Sequence, residues 1–155
     1  MRQNMSGWSQ AECDELKKAG IADEILYYHR ALGKEEKYTA HVFIAQYASP
    51  EQLKQNWERL NDNIALLYQS NVDSLLERSN FYLCFFLPKS MNTIEKEKIE
   101  NDAYCAKKYI FVSEKELSVE EKIQRVNEKI FVFMKGREVL LLLRKTLRIL
   151  PLQWS

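Results

Sequence analysis

Residues 80–88 read NFYLCFFLP, seven consecutive apolar or aromatic positions between an asparagine and a proline. A run this short and this unbroken has the pattern of a β-strand covered on both faces. Pro88 lacks the N–H needed to continue a ladder, so the strand ends there. This segment is the expected central strand, and the rest of the chain must supply what covers it.

Two further segments have strand character. HVFIAQY, residues 41–47, is apolar and partly β-branched and stops at Ser49-Pro50; KKYIFV, residues 107–112, is similar. Between them lie helix signals. Ser49, Pro50 and Gln52 form a helix start with proline at the first helical position. Leu53, Trp57, Leu60, Ile64, Leu67 or Tyr68, Val72 and Leu75 then recur every three or four residues, with a break expected near Ser70. Asn92 with Glu95 starts the next helix, and Ser118 with Glu121 a later one carrying Ile123, Val126 and Ile130. Upstream, Ser9 with Glu12 predicts a first helix ending at Gly20, and Ile25, Leu26, Tyr28, His29 and Leu32 predict a second over 22–32 ending at Gly33.

Strand, helix, strand, helix, strand implies crossover connections. The expected fold class is α/β: a small, mainly parallel sheet of three to four strands flanked by helices, with an amphipathic C-terminal helix. With 155 residues the chain suits one domain. It is divided into an N-terminal helical region (1–37), a sheet core (38–115) and a C-terminal helical region (116–155). IFVFM, residues 130–134, fits a helix extension or a fourth strand equally well. The last helix is expected to turn Val139, Leu140, Leu143, Leu147 and Leu150 inward and to end at Pro151.

Charge is uneven. The chain carries a formal +1, yet residues 135–155 hold five Lys/Arg against one Glu, which marks the C-terminus as a place for an anionic partner, DNA or an acidic protein surface. Arg137, Arg144, Lys145 and Arg148 fall in one helical sector. Trp154 and surplus leucines beside them suit a protein interface as readily as DNA. Three widely spaced cysteines, with no CxxC pair and no leader-like N-terminus, fit a reducing cytoplasm. The longest apolar stretch is far short of the roughly 20 residues a membrane helix needs, so a soluble protein with no membrane contact is expected.

Catalytic chemistry is hard to assemble from these residues. A metal-dependent nuclease needs converging carboxylates, often beside a lysine. Glu100, Asp102 and Lys107 supply the residue types, but two positions apart on a helix is about 200° around its axis, so the carboxylates diverge. Cys105 has Lys107 nearby but no base; His29 and His41 are expected in structural positions, and Cys13 and Cys84 have no partner at metal-ligand spacing. With 4 glycines, neither GxGxxG nor GxxxxGK[ST] can be written. Phe81, Tyr82, Phe85 and Phe86 lack interleaved basic residues and are expected in the core rather than on a nucleic-acid platform. No catalytic residue, metal ligand or cofactor site is expected.

SNFYLCFFLP, an acidic helix and then DAYCAKKYIF resemble the middle component of bacterial ABC-three-component systems, the small subunit of Lamassu-type antiphage defence. There an aromatic strand precedes an acidic helix and a D-x-Y-C-x-[RK]-K motif. Asp102, Tyr104, Cys105, Lys107 and Lys108 match it, with Lys107 where arginine is commoner and Ala106 in place of a second cysteine; the likeness covers residues 38–115. The resemblance implies a non-catalytic adaptor without a cofactor, joining an SMC/Rad50-like ABC ATPase to an effector nuclease and restraining it until foreign DNA is sensed, with DNA contacted indirectly through the complex. On that reading Asp102, Tyr104, Lys107, Lys108, Arg137, Arg144, Lys145, Arg148 and Trp154 are interface candidates. The alternatives are a metal-dependent nuclease of restriction-like descent, or a DNA-binding module using the basic tail.

Overall fold

The computed structural model describes residues 7–130. The chain divides into two compact units, Met1–Glu116 and Leu117–Ser155. In the first unit the elements run β1 (Ser9–Ala11), α1 (Asp14–Lys18), β2 (Glu24–Leu32), β3 (Tyr38–Gln46), α2 (Pro50–Leu67), a 3-10 turn (Gln69–Asn71), α3 (Leu75–Arg78), β4 (Phe81–Leu87), α4 (Thr93–Glu100) and β5 (Lys107–Val112). The described part of the second unit holds one helix, α5, over 119–130.

The class is α/β, but the sheet is mixed and has five strands in the order β1-β2-β3-β4-β5, not three or four that are mainly parallel. β1, β2 and β3 pair antiparallel, and β3, β4 and β5 pair parallel. The difference arises at 22–32, where the apolar spacing predicts a helix. All nine residues of β2 pair with β3, from Glu24 opposite Gln46 to Leu32 opposite Tyr38. Gly33 serves the connecting turn rather than a helix end: its φ is +90°, and a Cβ there would collide with the Glu36 carbonyl oxygen. Ser9 likewise sits in β1 opposite His29, so it caps no helix; α1 starts at Asp14.

β4 is buried at every position, as its composition requires. It has neighbours on both sides, although β3 is the middle strand. On one face Ile25, Tyr27, Phe43, Ala45, Phe81, Leu83, Phe85 and Ile110 join Leu16 of α1, Leu53, Trp57, Leu60 and Ile64 of α2, and Ile99 of α4 in a single apolar core. Both crossover helices therefore lie over the same face. Residues of the opposite parity, Tyr28, Val42, Ile44, Tyr82, Cys84 and Phe86, are also buried.

The expected caps of α2, α4 and α5 are present. Ser49 Oγ accepts from Gln52 N at 3.2 Å while Gln52 Oε1 accepts from Ala48 N at 2.9 Å. Asn92 Oδ1 accepts from Ile94 N, and Ser118 and Glu121 cap reciprocally. α2 ends at Leu67, just before Ser70. The apolar stripe runs on through Tyr68 and Val72, which pack against the core, and ends before Leu75, which is 80% exposed on α3. No helix among the described residues is long and apolar enough to cross a membrane. The expectations for 131–155, including most of IFVFM and the basic helix, lie outside the described residues.

Candidate functional site: the loop between α4 and β5

α4 closes at Asn101, and Asp102 begins a loop that runs to Ala106 before β5. Asp102 Oδ1 accepts from Tyr104 N at 3.0 Å, bending the chain two residues on. β5 then alternates, so the lysine doublet divides. Lys107 lies opposite Tyr82, with its ammonium 5.4 Å from that ring. Lys108 lies opposite Leu83, whose side of the sheet bears the helices, and is only 1% exposed.

A buried ammonium loses several kcal/mol of hydration unless its donors are met. Lys108 Nζ meets three acceptors: Asp102 Oδ1 at 2.6 Å, Tyr104 O at 2.6 Å and Asp102 O at 3.1 Å. That matches the three N–H bonds it has. The Trp57 ring lies 6.0 Å away and closes the apolar side.

α2 holds the same loop from above. Buried Asn61 donates through Nδ2 to Tyr104 O at 2.9 Å, and its Oδ1 accepts from Ala106 N at 3.4 Å, bracketing Cys105. Gln69 Nε2 lies 3.3 Å from Cys105 O and 3.0 Å from Arg78 O, which joins α3 to the loop. Cys105 has φ +61°, a conformation that costs an L-residue about 1–2 kcal/mol. Tyr104 remains 58% exposed.

These ties account for the carboxylates that a nuclease would need. Glu100 Oε2 accepts from Ile110 N at 3.0 Å, and Asp102 is committed to Lys108 and Tyr104 N. Among the described residues no group of three or more His, Cys, Asp or Glu is placed to hold a metal ion. Burial pushes the Cys105 thiol up to about 11, outweighing the lowering by Lys108, so it is far from a thiolate at neutral pH. Burial also raises the Cys84 and Cys13 thiols, and all three cysteines are free.

A second polar array is built on Glu77 of α3, the residue before Arg78. Tyr27 Oη lies 2.7 Å from His41 Nδ1, His41 Nε2 lies 3.1 Å from Glu77 Oε2, and Thr39 N donates to Glu77 Oε1 at 3.3 Å. His41 stacks on Phe81 with ring centroids 4.3 Å apart, and Tyr27 stacks on Phe43. His29 stands directly opposite His41 in the hairpin. Burial lowers the His41 pKa against the hydrogen bond and charge of Glu77, and burial pushes Tyr27 up to about 12. With Tyr27 and His41 each 8% exposed, this array anchors α3 to the sheet and presents no nucleophile to solvent. No local pattern links positions 27, 41 and 77; the β2–β3 pairing and the packing of α3 bring them together.

An open groove of about 310 Å³ lies between the starts of α2 and α4. It is bordered by Glu51, Met91 and Ile94 and by the Lys54–Glu95 ion pair at 3.5 Å. Arg137, Arg144, Lys145, Arg148 and Trp154 lie outside the described residues.

A family model described as ABC-three component (ABC-3C) system Middle Component 1 matches residues 40–135, more than half of the chain, including the whole loop and both of its flanking elements. Comparison with curated proteins and with solved structures gives no match.

Proposed function

The chain belongs to the ABC-three component system Middle Component 1 family, and from that premise we propose that it is the non-catalytic adaptor of a bacterial, Lamassu-type antiphage defence complex. In this reading it joins an SMC/Rad50-like ABC ATPase to an effector nuclease and restrains the effector until foreign DNA is sensed. The family match carries the proposal, because it names the chain as one component of a system of three. The loop supports it: the polar groups of the motif bind one another and hold a shape, as a scaffold needs.

Restraint of this kind is a differential contact. Moving an effector from 99:1 restrained to 99:1 released needs about 5.5 kcal/mol between the two assembly states. Three buried contacts of about 2 kcal/mol each are enough, so one modest surface suffices. The ATPase would supply nucleotide chemistry, and DNA would reach this chain through the complex. The same reading assigns it to the cytoplasm, where its free thiols stay reduced.

The test is co-expression of the full chain with the other two components. The chain is expected to co-purify with them and, alone, to cleave neither DNA nor ATP. Divalent-metal-dependent DNA cleavage by the purified chain, lost in Asp102→Asn while the fold is kept, would replace the adaptor by a nuclease.

A further inference from the structure

The parallel ladder of β3 with β4 runs through odd-numbered amides, from His41 N, which donates to Asn80 O at 2.9 Å, to Tyr47 N, which donates to Phe86 O at 3.1 Å. β4 begins at Phe81, opposite His41, so the preceding amide in that series, Thr39 N, has no strand to donate to. A side chain takes the ladder's place. Glu77 Oε1 accepts from Thr39 N at 3.3 Å, while Glu77 Oε2 lies 3.1 Å from His41 Nε2.

The segment that carries this carboxylate adds little to the core. None of residues 73–79 is buried, and Leu75 is largely exposed. Its fastenings are polar: Glu77 to β3, and Arg78 O, which accepts from Gln69 Nε2 at 3.0 Å. Its ends are fixed differently. Val72 packs against the apolar core, and buried Asn80 accepts from His41 N and, through Oδ1, from the Tyr82 hydroxyl at 2.9 Å. A segment held by hydrogen bonds between fixed ends, with little apolar surface to expose, opens at lower cost than the core around it.

Gln69 extends the effect beyond α3. Its amide donates to Arg78 O and, at 3.3 Å, to Cys105 O of the 101–106 loop, so both carbonyls orient one flexible side chain. With Arg78 O withdrawn, the amide loses one of two fixed acceptors and its hold on Cys105 O slackens.

We propose that residues 73–79 are a strap that opens as one unit while the sheet stays folded, with Glu77 as its latch, and that Gln69 transmits the opening to the 101–106 loop. Such a two-state element belongs to this chain alone and does not depend on the components it assembles with.

The test is native-state amide hydrogen exchange on the full chain in low urea. Thr39, Arg78 and Ser79 are expected to share one opening with little urea dependence, because little surface is exposed, and to be protected about tenfold less or weaker still than Phe43 and Phe85. Exchange at Phe43 and Phe85 should rise steeply with urea. Thr39 is the informative amide, for it lies on the middle strand and yet should follow α3. Ser74→Ala removes the α3 cap without touching Thr39 and is expected to speed Thr39 and Ser79 alike, by about fivefold. Glu77→Ala, which releases the latch, is expected to speed Ala106 by about threefold or more, and to leave it unchanged in a Gln69→Ala background. If Thr39, Arg78 and Ser79 all follow the urea dependence of Phe43, the segment opens only with the core and the strap is overturned. If Thr39 follows Phe43 while Arg78 and Ser79 open early, α3 merely frays and Glu77 is no latch. If Glu77→Ala speeds Ala106 equally with and without Gln69, the transmission to the loop is overturned.

Discussion

Lys108 and Asp102 meet at 2.6 Å, yet only one of them meets water: the lysine side chain is wholly enclosed and the aspartate is about one-third exposed. The pair is therefore neither a solvated surface bridge nor a fully buried one, and its energetics fall between those limits.

Removing either partner leaves the other's groups unmet. Asp102→Ala is expected to cost about 2–3 kcal/mol, because the ammonium keeps only two carbonyls in a buried site. Lys108→Met is expected to cost about 2 kcal/mol, since the charge leaves with the side chain but the Tyr104 and Asp102 carbonyls lose a donor. Urea unfolding of both single variants and the double variant should give a coupling energy above ~0.5 kcal/mol. Strict additivity would show that the contact carries no stability.

Asn61 is the loop's other fastener. Asn61→Ala strands Ala106 N at a buried site and leaves Tyr104 O with Lys108 as its one donor, and is expected to cost about 1–3 kcal/mol. Asn61→Asp keeps the acceptor for Ala106 N but loses the donor to Tyr104 O. Hydrogen exchange at Ala106 should therefore stay slower in Asn61→Asp than in Asn61→Ala.

The Tyr27–His41–Glu77 array makes stability depend on pH. A neutral ring with hydrogen on Nε2 donates to Glu77 and accepts from Tyr27, whereas a protonated ring cannot accept the Tyr27 hydroxyl. Burial lowers the folded-state pKa below the ordinary histidine value. The unfolded chain therefore binds this proton more readily. The contribution is present above about pH 6.5 and is lost as pH falls through the folded value. Urea midpoints between about pH 7.5 and pH 5, a range spanning the ordinary histidine value, should fall more in the parent than in His41→Gln. A His41 NMR titration at or above about 6.5 would mean that Glu77 outweighs burial and would overturn this pH dependence.

Two glycines with positive φ should respond differently to alanine. Gly20 has φ +62°, and a Cβ built there would meet nothing within 4 Å, so Gly20→Ala is expected to cost about 1 kcal/mol of backbone strain. Gly33→Ala places the methyl against the Glu36 carbonyl and must open the β2–β3 turn. Its thermal midpoint should drop several times further. Equal losses would mean that the turn relaxes freely.

Local chemistry alone decides part of this fold, and that part is legible along the chain. The caps at Ser49, Asn92 and Ser118 are side chains binding amides two or three residues away, and β4 and β5 are composed of residues that suit a covered strand. The family likeness is legible too, since DAYCAKKYIF keeps its spacing. Glu24–Leu32 is not, because Ile25, Tyr28, His29 and Leu32 satisfy a helical period as well as a strand. Its nine pairings with β3 make the choice, and they lie across a turn rather than along the chain. The roles within the motif are hidden for the same reason. A lysine doublet reads as two solvated charges until strand alternation turns Lys108 under α2, where Asp102 and the loop carbonyls make its burial tolerable. Tyr27, His41 and Glu77 become neighbours only when the hairpin and α3 are in place. Short-range hydrogen bonds and composition can be read along a chain, whereas desolvation depends on what packs above a residue, and that exists only in the folded molecule.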